Sequence, residues 1–400
     1  ILLFGFDTNI VSCYTLYRKY EASSGGYGMM RVKDRESNFE LMRIISMLMI
    51  VFWHILVHGK VLEHTSGVTN LFCYFLMCIF LVHVNSFVLT CGYFQSEHPF
   101  SLKKFLNLFC LQWFYRVVLI IILSTFKLIS ISKVDFINEL LPLDVANYWF
   151  INCYLALYLL SPYLNKLIST LSHKEYKKML LVCFILFSIV PYITNGRTIS
   201  NDGYTILHFC FLYLIGAYLK KYSIKDNYYF KRFTREKRQL LFLFGFCCCF
   251  ILHFIMIQFS DQLDMYSNNF IKLMALYIRN SQFNYSTPLV IIQSICYFLY
   301  FETFKIKNKK INLLASIIIG VYLISDNTYV RNVIYKLIKI DSGKMISSSS
   351  LMHVVVCAFL IFVVCLLIEF VRHSITAFIC NKKIVIDKKN KFYDYIERLH

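Results

Sequence analysis

Apolar stretches long enough to cross a lipid bilayer recur along the whole chain, and no other feature restricts its fold so tightly. Leu41–Val57, Leu106–Ile131, Leu240–Phe259 and Leu351–Val371 are typical. A helix needs about 20 such residues to cover roughly 30 Å of hydrocarbon. Lipid offers backbone N–H and C=O groups no partners, so runs of this kind must be helical. Composition agrees: 58% of the 400 residues are hydrophobic and 16% charged, against about a quarter charged in a soluble globule. The chain carries more apolar surface than one soluble core could hide. Its aromatic residues, 18% of the total, suit the two interfacial belts of a membrane protein. The fold class expected is all-α, a polytopic transmembrane helical bundle of about ten spans. These are placed at 40–58, 70–94, 106–131, 147–167, 179–195, 204–219, 240–260, 287–304, 311–325 and 350–371.

A formal net charge of +19 invites a nucleic-acid reading, which its distribution excludes. About 29 of the 42 Lys and Arg residues fall in alternate segments: 31–43, 103–104, 166–178, 220–238, 305–310 and 372–398. The intervening connections hold far fewer. Basic loops of membrane proteins face the cytoplasm, so this alternation predicts cytoplasmic ends for the bundle. The same charge attracts anionic lipid, and no stretch is left for a nucleic-acid-binding domain.

Most of the fifteen cysteines lie inside apolar runs, including Cys247–Cys249, and no CxxC pair or Cys/His cluster at zinc spacing occurs. They read as small buried apolar residues. Residues 1–28 contain neither a span nor a signal-peptide pattern. Gly25 and Gly26 lie just ahead of Met29 and Met30, and a Gly-Gly codon pair can spell a ribosome-binding sequence. The expectation is that translation begins at Met29 or Met30, with residues 1–28 a translated leader or a disordered tail. Residues 29–375 form the membrane domain, and 376–400 a basic cytoplasmic tail.

The chemistry concentrates in the first span. Arg43 and His54 are eleven residues apart, three helical turns plus about 20°, so the two share one face about 16 Å apart along the axis. Arg43 falls near the cytoplasmic surface and His54 deep in the membrane. Glu40, one turn before Arg43, is placed to pair with it. A buried ionisable residue in a span faces the bundle interior and marks a functional site by default. His58 shares the face of His54, and the pair could contribute to a metal site. The sequence offers no third ligand, so no metal is expected. Arg116 also lies well inside its span, suited to an inward polar role or to pairing with a neighbour. Asn152 and Tyr322 suit either an acceptor path or ordinary helix–helix packing. No GxSxG elbow, Walker A loop or Rossmann fingerprint is present.

The ordered set of motifs resembles the acyltransferase-3 family of bacterial membrane O-acyltransferases, in its branch acting on capsule and other surface polysaccharides. FELMR (residues 39–43) through His54 is similar to the family's opening signature. VNSFVLTCGYF (84–94), Trp149 and Phe150 with Tyr154, LSPYLN (160–165), LIGAY (214–218) and GVYLI (320–324) resemble further blocks. The resemblance covers roughly residues 36–375. It implies transfer of an acyl group, usually acetyl, from cytoplasmic acyl-CoA to a sugar hydroxyl of a surface or lipid-linked glycan. Acetyl-CoA would then be the donor substrate, with no permanently bound cofactor, and the bilayer the remaining partner. His54 and Arg43 would be the catalytic residues, His54 as base or acyl acceptor and Arg43 binding donor phosphates or holding the donor in line. Glu40, Arg116, Asn152, Tyr322 and Asp326 would help to bind substrate or donor. The chain departs from the family at three places. Ser325, followed by Asp326 and Asn327, stands where a second histidine is common. Lys103, Lys104 and Arg116 replace a paired-arginine motif, and Cys91 replaces a serine. A glycan-lipid transporter or flippase has the same topology without covalent chemistry and is the main alternative. A glycan polymerase would carry a large outward loop rich in Arg and His, which this chain lacks.

Overall fold

With no water to satisfy their backbone, apolar runs should close all their hydrogen bonds within helices, and the computed structural model has this form. It describes residues 35–140, 148–194, 201–223, 230–263, 268–338 and 348–380, and among them there is no strand. The predicted leader, 1–28, and the tail beyond residue 380 lie outside the described residues. In chain order the helices are α1 (Ser37–His58), α2 (Gly67–Phe80), α3 (Val82–Gln95), α4 (Leu102–Thr125), α5 (Lys133–Leu140), α6 (Trp149–Thr170), α7 (His173–Phe184) and α8 (Val190–Thr194). There follow α9 (Ile206–Lys221), α10 (Arg235–Leu263), α11 (Asn269–Asn280), α12 (Pro288–Glu302), α13 (Lys309–Ser325), α14 (Thr328–Leu337) and α15 (Ser348–Cys380).

Each of the ten predicted spans coincides with a helix or with a consecutive helix pair. Six stretches are long and apolar enough to cross a membrane: Ser37–His58, Gly67–Gln95, Leu102–Thr125, His173–Thr194, Arg235–Ser260 and Leu351–Phe378. The pair α13 and α14, bent by 79°, makes a seventh if counted as one broken span. The remaining three predicted spans fall on α6, α9 and α12. Of these, α9 and α12 have only 16 and 15 residues, and most of α9 is buried against other helices. The chain is a multi-pass membrane protein.

Contacts between distant connections show which ends of the helices lie together. At one end Asn308 N–H donates to Ser37 Oγ at 2.9 Å, Asn38 donates to the Phe301 carbonyl at 3.0 Å, Asn165 to the Gln95 carbonyl at 3.0 Å and Lys221 to the Ile168 carbonyl at 2.8 Å. At the other end Tyr285 N–H donates to the Asp202 carbonyl at 2.9 Å, and the Tyr148 hydroxyl donates to the Leu323 carbonyl at 2.5 Å. Helix ends beside basic segments thus meet in two groups, Ser37 and Asn38 with Phe301 and Asn308, and Gln95 with Asn165, Ile168 and Lys221.

Helix α1 runs through the middle of this bundle, packed against α3, α12, α13 and α15. Helices α3 and α9 cross closely. A Cβ on Gly92 would lie 2.1 Å from the Tyr213 carbonyl oxygen, and one on Gly216 would lie 2.2 Å from that of Leu89. Small residues let backbones meet this closely where dispersion rather than the hydrophobic effect holds helices together. Deeper in the bundle, Glu369 of α15 lies against Gly320 of α13 and accepts from Tyr115 of α4. Arg372 grips both carboxylate oxygens of Glu369 at 2.7 Å. α11 packs on α10.

Candidate active site

Arg43 stands at the mouth of a cavity of about 710 Å³, within the range of small-molecule and cofactor sites. Its rim carries Arg35, Arg43, Lys104 and Lys220, and its walls include Phe39, Phe87, Phe94, Phe105, Phe150 and Tyr154. Arg43 donates to Glu40 at 2.7 Å, the pairing its helical spacing predicted, and Arg35 adds a second cation 3.6 Å from the same carboxylate. The carboxylate holds the guanidinium in place and leaves further donors free for a planar anion. Lys220 lies 3.5 Å from Glu97 and 4.7 Å from the ring centre of Tyr93. The cavity thus joins fixed cations to aromatic faces.

Three turns along α1 the surroundings change. The His54 side chain is 12% exposed, and its Nδ1 lies 3.4 Å from Oδ1 of Asp326. Asp326 ends α13 at the break before α14, and Arg331 from α14 donates to the same oxygen at 3.0 Å. His58 is exposed, with its ring centre 5.3 Å from that of His54. The sequence offered these two histidines no third partner; the fold supplies Asp326. Ligand-type atoms of His54, His58 and Asp326 all lie within 4.8 Å of one another. Arg331 competes with any cation for that carboxylate, because a guanidinium already neutralises it.

Aromatic rings link the two ends. The Arg43 guanidinium lies 5.9 Å from the Phe87 ring, Phe87 is 6.0 Å from Phe150, Phe150 is 5.9 Å from Tyr322, and Tyr322 is 6.4 Å from the His54 ring. Phe87 and Phe150 line the cavity, so the rings of Phe150 and Tyr322 lie between it and His54. On the far side of His54 the rings of Trp53, His83 and Tyr285 pack together, 5.4 to 6.4 Å apart. Trp149 and Tyr204 meet at 4.4 Å, and both touch Tyr285. Burial holds the Tyr285 hydroxyl well above the usual phenol range, with neighbouring Tyr204 adding to the shift. Tyr285 therefore stays a neutral hydrogen-bond donor.

The other predicted residues separate. Arg116 is fully buried and pairs with Glu139 of α5 at 2.5 Å. This ties the short outer helix to α4, together with the Trp113 indole N–H, which donates to the Leu140 carbonyl at 3.0 Å. Asn152 accepts from Gln112 at 2.7 Å, an interhelical bond between α6 and α4. Glu40 belongs to the Arg43 end. Tyr322 and Asp326 belong to the His54 end. Sequence reading gave no site role to Arg331, Lys220, Trp53, Tyr204 and Tyr285, and it met Trp149 and Phe150 only as a motif block. Arg331 was hidden because it counts as one more basic residue of an outer connection, and nothing linear marks its return toward His54.

A family model described as an acyltransferase domain, that of the acyltransferase-3 family, matches residues 36–370. The chain belongs to the acyltransferase-3 family. Its match begins one residue before α1 and ends within α15, so it includes both the Arg43 cavity and the His54 centre. No curated protein matches the chain, and no solved structure does. The protein is a membrane acyltransferase.

Proposed function

We propose that this acyltransferase moves an acyl group, acetyl first among them, from cytoplasmic acyl-CoA to a sugar hydroxyl of a surface or lipid-linked polysaccharide. The reading includes a bundle of about ten crossings in the bacterial cytoplasmic membrane, with both ends inside. The observation that carries it is the cavity at Arg43. A cavity of about 710 Å³ lined by four cationic side chains, by Glu36, Glu40 and Glu97, and by aromatic walls suits an anionic nucleotide thioester that takes over donors now held by Glu40 and Glu97. Guanidinium groups match phosphate geometry, and aromatic faces suit an adenine ring. Arg43 and His54 are about 16 Å apart along one helix face, a gap comparable to the reach of the donor's pantetheine arm.

At the other end the imidazole of His54 accepts the proton of the acceptor hydroxyl as its oxygen attacks the thioester carbonyl. The carbon–sulfur bond breaks, and the proton passes to the departing CoA thiolate. An acyl-histidine route uses the same residue as first acceptor. The rings of Trp149 and Tyr204, 4.4 Å apart, suit the apolar face of a sugar, which supports a glycan acceptor. The phenylalanine and tyrosine between the two ends keep water from the thioester until acceptor arrives.

The test is His54→Ala, assayed for transfer of labelled acetyl from acetyl-CoA into surface polysaccharide at matched protein level. Loss of general-base catalysis predicts a fall of about 10³-fold. Full transfer by the variant removes His54 from the reaction. Wild-type membranes that move the glycan yet transfer no label favour the transporter alternative.

A further inference from the structure

We propose that Asp326, clamped by Arg331, is a positioning residue for His54: it sets the imidazole with its proton on Nδ1 and its Nε2 bare toward substrate. The proposal rests on the acyltransferase reading of His54 given above. Its starting point is an orphan. Nδ1 of His54 is buried and makes no hydrogen bond of good geometry among the described residues. An unpaired buried polar atom costs about 1–3 kcal/mol. The Asp326 carboxylate oxygen 3.4 Å away is within a small ring rotation of relieving that cost, and such bonds commonly tighten when substrate binds.

The carboxylate cannot simply swing aside, because its neighbours hold it. On a straight helix, residues five apart point about 140° away from each other, so Asp326 and Arg331 could not meet. The 79° bend between α13 and α14 brings them to 3.0 Å. Asn327 locks that bend from three directions. Its side-chain oxygen caps α14 by accepting from Tyr329 N–H at 3.1 Å and Val330 N–H at 3.2 Å, and its amide donates to the Tyr148 hydroxyl at 2.9 Å. Tyr148 in turn donates to the Leu323 carbonyl on the last turn of α13. The Ser325–Asp326–Asn327 triplet thus builds a rigid corner with a carboxylate aimed at the first helix.

The Tyr322 hydroxyl adds a further contact to the Asp326 carboxylate. An imidazole needs a fixed tautomer to serve as a base, and a carboxylate on its other nitrogen provides it. No described residue hydrogen-bonds Nε2 of His54, so that nitrogen is free for the acceptor hydroxyl.

The experiment compares wild type, Asp326→Leu and the double variant Asp326→Leu/Arg331→Leu in lipid nanodiscs. The double variant removes both charges and leaves neither buried alone, so it keeps the fold where the single variant fails. Two readouts are taken. Nitrogen-15 spectra of histidine-labelled protein, with His54 assigned against His54→Gln, report which ring nitrogen carries the proton. Release of free CoA from acetyl-CoA reports turnover. The expected result is a proton on Nδ1 in wild type and its loss or redistribution in both variants. Turnover should fall about 100-fold with the KM for acetyl-CoA within about twofold of wild type. A double variant that keeps the Nδ1 proton or the wild-type rate overturns the proposal. So does turnover abolished by a chelator and restored by zinc, which would make His54, His58 and Asp326 a metal centre. Wild type that releases no CoA yet shows the Nδ1 signature of wild type and its loss in the variants leaves the positioning intact and defeats the acyl-transfer reading instead.

Discussion

The Arg43 end and the His54 end of α1 belong to one helix face and are built on opposite principles. The Arg43 end is roomy: a cavity of about 710 Å³ with charges of both signs on its rim, among them Arg43, Lys220, Glu40 and Glu97. The His54 end is close-packed. Its charged groups, Asp326 and Arg331, pair at 3.0 Å, and rings surround them. A large, mobile, anionic donor needs space and long-range attraction, whereas proton transfer needs a nitrogen held within hydrogen-bond reach of its target. The two ends divide those tasks between binding and chemistry, and the rings of Phe150 and Tyr322 lie between them.

That division is easiest to break at Arg43. Arg43→Gln removes charge-assisted donors while keeping a polar group of similar length. The expected outcome is a rise of about 10- to 100-fold in the KM for acetyl-CoA, the range that loss of a charged hydrogen bond allows. The rate at saturating donor should hold near wild type. Steady-state kinetics over a range of acetyl-CoA concentrations checks this, and a pure loss of kcat would merge the two ends into one functional unit.

Phe150→Ala acts between the two ends. Opening that space should let water reach the thioester, raising acetyl-CoA hydrolysis relative to acetyl transfer by about fivefold. The ratio of free CoA released to label incorporated measures the effect. An unchanged ratio would mean that Phe150 serves packing alone.

Lys220→Ala should have the smallest effect. Lys220 is a partly exposed rim cation already paired with Glu97, and such a pair is worth about 0.2–1 kcal/mol. A rise of two- to threefold in the KM for acetyl-CoA is expected, fading as ionic strength approaches about 1 M, where charges are screened within roughly 3 Å. An effect that persists in high salt would assign Lys220 a direct contact with the donor.

Much of the fold was legible because its cause is linear. Run length set helix length, and the alternation of Lys and Arg sorted the connections into two ends before any contact was known. The Arg43–His54 register and the Glu40–Arg43 pair were equally readable, since both follow from the helical repeat. Arg116 was recognisable as buried and polar, but not as the partner of Glu139, because a pairing across a connection depends on how α5 folds back. His58 looked partnerless for the same reason: its nearest carboxylate lies far away in sequence, at Asp326.

By itself, then, the sequence determined that the chain is a helical membrane bundle, which helix ends carry positive charge, and that an arginine and a histidine share one face of the first helix. These are properties of spacing along one chain segment, governed by the rise of the helix and by the solvent it must satisfy. Only the tertiary structure decided what meets that face. The bend after Ser325 swings Arg331 onto Asp326 and Asp326 toward His54, while the glycines at 92 and 216 let α3 and α9 close against one another. Those outcomes depend on side chains far apart in the chain competing for the same space, and local spacing carries no record of that competition.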